Sequence, residues 1–122
     1  MRFEPVDPPR EFAVAGGIVM RDTGRVRLAP DEQVTFLTED GGEYDVARTS
    51  WGFYATPSVD HRLPRSGLRA GLVRNLLGRH FVVLVERGRE EEFASYLAEQ
   101  RSVVAAWLDD PTALAALEGA GS

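Results

Sequence analysis

LRAGLVRNLLGRHFVVLVERGREEEFASYLAEQRSVVAAWL, running from Leu68 to Leu108, decides the fold class. Its first half reads as a hairpin: LRAGLVRN (68–75) and HFVVLVE (80–86) flank a turn at Leu76, Leu77 and Gly78. The run FVVLV lacks polar–apolar alternation, so both its faces should be covered, and the pattern predicts a central strand. Gly88 closes that strand. REEEFASYLAEQ (89–100) then puts Phe93, Tyr96 and Leu97 at i, i+3 and i+4, the apolar stripe of a helix. Glu90, Glu91 and Glu92 fall in its first turn, where the helix dipole favours anions. SVVAAWL (102–108) returns as a strand.

Working outward, Asp110-Pro111 has the form of an N-cap followed by proline at the first helical position. The segment 112–122 is expected to be a short Ala/Leu helix or a disordered tail. Upstream, VTFLT (34–38) and EYDVA (43–47) flank Glu39-Asp40-Gly41-Gly42, a strong hairpin signal. A two- or four-residue loop sets Phe36 opposite Asp45, Val34 opposite Ala47 and Leu37 opposite Tyr44. Asp45 would then share a face with Val34 and Phe36; a one-residue change in the loop would move it to the other set. Between Gly17 and Leu28, IVMR and RVRL around Asp22-Thr23-Gly24 suggest another hairpin, with Arg25 and Arg27 on one face. Residues 1–11 hold Pro5, Pro8 and Pro9 among charges and read as an extended lead-in. The whole is one domain, 1–122. Its class is α+β: a mainly antiparallel, strongly curved and partly barrel-like sheet of about six to eight strands under one main C-terminal helix. Phe36, Phe53, Phe81, Val83, Val85, Phe93, Leu97 and Trp107 form the expected core.

Candidate chemistry collects in EYDVARTSWGFYATPSVDHR (43–62). Trp51–Ala55 reads as a strand, and VDHRLPRSG (59–67) as a polar loop long enough to form a lip over a pocket. A carboxylate in apolar company has a raised pKa suited to general acid work, which singles out Asp45; the ordinary role of such a group beside Arg48 is an ion pair. His61 is the second acid/base candidate, though a loop histidine is usually only polar surface, as is His80 at a strand end. Trp51 and Tyr54 could stack a sugar or base, although such rings more often fill a core. Ser58 stands near His61 without the setting of an activated nucleophile. Arg48, Arg62, Arg65 and Arg69 are the candidate anion-binding set.

Composition bounds the rest. A chain of 122 residues supports a core without disulfides or metal. There is no cysteine, hence no thiolate nucleophile or cysteine-held metal; two histidines without ligand spacing make a metal centre unexpected. Every one of the 14 basic residues is arginine, each a planar fork for carboxylate or phosphate. The net charge of −5 gives no general attraction to nucleic acid or an anionic membrane. No apolar run has the length of a signal peptide or membrane span, so the cytoplasm is the expected compartment. Gly16-Gly17 and Gly41-Gly42 belong to turns, not to a phosphate-cradling loop, and no cofactor is expected.

These readings favour a non-catalytic cytoplasmic binding or accessory module that associates with itself as a homodimer. One alternative is a small enzyme acting on a polar anionic metabolite such as a sugar or sugar nucleotide, with Asp45 or His61 as acid/base. Another is a purely structural interaction domain.

Overall fold

Antiparallel pairing dominates the computed structural model, which describes residues 1–120. β1 (Arg2–Val14) and β2 (Ile18–Arg27) form a two-stranded ribbon whose tip is a short 3₁₀ turn at Ala15–Gly17. The residues expected as a lead-in are thus hydrogen-bonded strand. The segment expected as a hairpin around Thr23 runs straight through as β2. The prolines explain the ribbon's one irregularity. Pro5 pairs with Gly24 and Arg10 with Asp22, so Val6-Asp7-Pro8-Pro9 oppose Thr23 alone. Proline cannot donate to a ladder, and a bulge is where a strand accommodates it.

β3 (Gln33–Leu37), β4 (Glu43–Thr49) and β5 (Gly52–Tyr54) make a three-stranded meander in that order. Its first loop has three residues rather than two or four. The Thr38 amide donates to the Gly42 carbonyl, and the Gly42 amide donates to Thr38 Oγ1. Gly41 sits at φ +96°, the left-handed conformation that closes a three-residue hairpin loop and favours glycine. That odd loop length shifts the register by one residue. Thr35 therefore lies opposite Asp45, and Phe36 opposite Tyr44. The two rings stack at 5.3 Å, and Asp45 joins the polar face.

A one-turn helix α1 (Arg62–Arg65) replaces the expected loop lip. Leu63 is its anchor: it is fully buried against Leu68 and Ala70, with Tyr44, Val59, Leu84 and Leu108 packed around them. The second meander follows, with β6 (Leu68–Arg74), β7 (His80–Glu86), α2 (Glu90–Glu99) and β8 (Val103–Trp107). Its strand order is β7-β6-β8, so β6 is the centre and FVVLV lies on an edge. The small residues of β6 make this possible. Opposite Trp107, a Cβ at Gly71 would stand 3.1 Å from the indole, so glycine lets that ring lie across the sheet. α2 covers the same face, with Phe93 edge-on to Trp107 at 5.9 Å. α1 covers the other.

α3 (Pro111–Ala120) follows as expected, capped by Asp110 Oδ1, which accepts from the Thr112 amide at 2.9 Å. The final positions of the anticipated 112–122 tail, 121 and 122, lie outside the described residues. The eight strands fall into three sheets, and none closes among the described residues. Arg89 ties the two meanders at the surface: it pairs with Asp40 in the β3–β4 loop at 2.7 Å and with Glu92 in α2 at 3.2 Å.

Of the expected core, Val85 and Leu97 are buried, while Val83, Phe93 and Trp107 are half-buried. Phe36, Phe53 and Phe81 are exposed. The two meanders meet around Leu63, the ribbon contributes nothing to that cluster, and large apolar side chains on the sheets stay exposed.

Candidate functional site

The residues singled out from the sequence do not converge. Arg48 and Phe53 pair across β4 and β5, with the guanidinium 5.3 Å from the ring centroid. Arg48 also donates to the Gly52 carbonyl. Alternation puts Asp45 on the opposite face, beside Ala47 and its cross-strand partner Tyr54. Arg48 is therefore no partner for Asp45. Arg62 is: its Nη2 lies 2.7 Å from Asp45 Oδ2, while Thr35 Oγ1 donates to Asp45 Oδ1 at 2.8 Å. The Thr35 hydroxyl first, and the Arg62 guanidinium second, hold the Asp45 carboxyl below its ordinary pKa. The raised value expected of a carboxylate beside Phe36 disappears with the register. Asp45 stays ionised and suits orienting a cation, not donating a proton.

Of the remaining candidates, Ser58 and Arg69 make contacts within the fold. Ser58 Oγ accepts from the Arg62 amide and the Ser58 carbonyl from the Leu63 amide, which starts α1. His61 is the residue before that helix and is exposed; Arg65, in its last turn, is exposed too. Arg69 grips Asp109 with both ends of its fork, at 2.7 and 3.1 Å, and lies 4.1 Å over the Trp107 ring. It occupies the face of β6 turned away from Leu63, so the sheet itself divides Arg62 and Arg65 from Arg69. Trp51 sits in the β4–β5 turn, edge-on to Tyr54 at 5.3 Å, with both rings open to solvent. Among the described residues no three His, Asp or Glu side chains gather as a metal-binding group.

A larger concavity lies elsewhere. A groove of about 720 Å³ runs between the ribbon tip, β7 and α2. Val14 and Ala15 line one side, Phe81 and Val82 another, Phe93 and Tyr96 a third; Asn75, Gln100 and Ser102 supply its few polar groups. Such a lining offers apolar contact and little with which to move a proton. The β6–β7 turn stands at its rim. Asn75 Oδ1 accepts from the Leu77 and Arg79 amides at 3.0 and 2.9 Å, and the turn so fixed holds Leu77 outward, 82% exposed. Two consecutive leucines in a tight turn are the one sequence signal that could have pointed here, because turns ordinarily carry polar residues.

A smaller cleft of about 290 Å³ lies at the base of the ribbon, where Arg25, Arg27 and Arg48 meet Phe53 and Glu4. Arg27 donates to Glu4 Oε2 at 3.1 Å and holds that carboxyl below its ordinary pKa. No helix of the described residues is long and apolar enough to cross a membrane. No known protein family, characterised protein or solved structure matches this chain.

Proposed function

We propose that this protein is a non-catalytic cytoplasmic binding module that works as a self-associated assembly, its apolar groove and open sheet faces being the surfaces it offers to protein. One observation carries the reading. The chain exposes 8931 Å², whereas a compact monomer of 13.4 kDa exposes about 6,500 Å². The excess is about 2,400 Å² per chain, or about 4,800 Å² for a pair, and the total falls within the range that permanent homodimers bury. It is also rich in large apolar side chains, among them Leu76, Leu77, Phe81 and Val82 around the groove. Apolar patches of this extent mark interaction surfaces. Light scattering at micromolar concentration tests this: the expected mass is twice that of the chain or more, and a monomer would overturn it.

A second reading rests on the open Trp51–Tyr54 pair, which shares a side of the first meander with the Arg62–Asp45 pair. An anionic sugar or sugar nucleotide could stack there, with Arg62 on its charge and Asp45 orienting that guanidinium. A ligand that binds only the native state raises its melting temperature. A panel of sugar nucleotides that leaves the melting temperature unchanged would remove this second reading.

A further inference from the structure

We infer that the open edge of β7 is the docking surface for a second copy of this chain, the two β7 strands pairing antiparallel about a two-fold axis at Val83. The inference rests on the self-association proposed above and gives it a seam. β6 occupies one side of β7, and no strand among the described residues pairs with the other. β7 is also the edge least guarded against pairing. Natural edge strands are kept short or interrupted by proline, charge or bulges. β3 and β8 have five residues, β5 has three, β1 carries its proline bulge, and β2, though ten residues long, is broken by the charges of Arg21, Asp22, Arg25 and Arg27. β7 has seven, with FVVLV uninterrupted between His80 and Glu86.

The ends of β7 say which partner fits. With the axis at Val83, all seven residues overlap. His80 falls opposite Glu86 of the second copy, and Glu86 opposite its His80. Phe81 meets Val85, and Val82 meets Leu84. A two-fold interface uses one patch twice, so a strand that matches itself in reverse suits it. An imidazole N–H can donate to a carboxylate oxygen, and a polar pair directly opposite across strands favours this register. Within the chain, Glu86 is approached by Arg89 Nε at 3.6 Å through Oε2, which leaves Oε1 for the histidine. The joined strands would form the middle of a six-stranded antiparallel sheet. Phe81 and Val82, 53% and 63% exposed in the single chain, would lie at the seam beside the grooves of both copies.

The chain has no cysteine, so single-cysteine variants report one position each. In this register Val83→Cys stands beside its counterpart and should form an intermolecular disulfide on mild oxidation. Leu77→Cys, in the turn beyond the strand end, would be roughly 20 Å or more from its own and should not. Independently, His80→Glu sets like charges opposite each other twice and should raise the dimer dissociation constant about tenfold. Adding Glu86→His to it restores opposite partners and should restore the affinity. A wild-type chain that stays monomeric would end both this inference and the self-association. A dimer that ignores the exchange of His80 and Glu86, or links through Leu77→Cys and not Val83→Cys, would end the β7 seam and leave the self-association standing. Were His80→Glu to unfold, the disulfide pair alone would decide.

Discussion

Asp45 shows how one backbone position can reassign a side chain. Its carboxyl titrates below the ordinary aspartate range because Thr35 and Arg62 stabilise its charged form. A depressed folded-state pKa contributes stability at pH values above the unfolded pKa, and that contribution is lost as pH falls through the folded value. The stability gap between wild type and Asp45→Asn should therefore be open at neutral pH and close in acid. Carboxyl chemical shifts should give Asp45 a midpoint below the ordinary value, and Thr35→Val should raise it. A midpoint at or above the ordinary value would contradict the geometry. Leu63 gives the matching test of packing. It is 0% exposed at the junction of the meanders, so Leu63→Ala should cost roughly 2–5 kcal/mol in denaturant unfolding. An unchanged midpoint would mean that α1 does not anchor the fold. Leucine inside a segment with Asp60, His61, Arg62 and Arg65 gave no periodic signal of its burial. The Asp45 register, for its part, hung on whether the left-handed residue closed a loop of three or four. Both were decided by contacts and dihedrals too local for the hydrophobic pattern to record.

At the scale of elements, the pattern of apolar residues located most of the chain. The β6–β7 hairpin, α2, β8 and the capped start of α3 stand where periodicity and turn residues placed them. The ranking of strands did not follow. Continuous apolar character suggested that FVVLV was central, yet LRAGLVR holds the centre because small residues allow neighbours to close on both sides. Glycine at 71 is required by the indole beside it, so Gly71→Ala should destabilise by about 1–3 kcal/mol through overpacking. A neutral or stabilised variant, measured by thermal unfolding, would show that Trp107 has room to move. The ribbon was missed as an element because its prolines masked a strand whose partner lay on the far side of a glycine turn. It packs little against the rest of the chain along its length, and segments with few buried contacts open first. Hydrogen exchange should release the amides of β1 and β2 before those of β6. Equal protection of the ribbon and β6 would show that the ribbon is held by more than itself.

For the molecule as a whole, composition was informative about class and silent about shape. Charge, length and apolar fraction are those of an ordinary globular domain, and nothing in them signals an excess of exposed surface. That excess accompanies an arrangement in which the two meanders meet around Leu63 and the ribbon adds nothing to that cluster. An assembly that buries it couples folding to association, so the melting temperature should rise with protein concentration. Melting curves that superimpose across a hundredfold dilution would argue for a monomer that keeps its apolar faces in water. The scattered fate of Arg48, Arg62, Arg65 and Arg69 belongs to this scale as well. Arginines close in sequence were separated by the alternation of a strand and by the thickness of a sheet, both properties of the folded object rather than of spacing along the chain.

The proline bulge of β1 bears on how large such an assembly can become. Pro8 and Pro9 carry no amide hydrogen, so the ribbon has a gap in its row of donors where Val6-Asp7-Pro8-Pro9 crosses Thr23. A passing chain cannot zip along that margin without leaving carbonyls dry and unmatched. The β1 margin, long and exposed as it is, makes a poor template for fibrils. If the chain pairs with its twin through β7, the β1 margin cannot serve as a second seam, and one route from a closed particle to a running thread is stoppered.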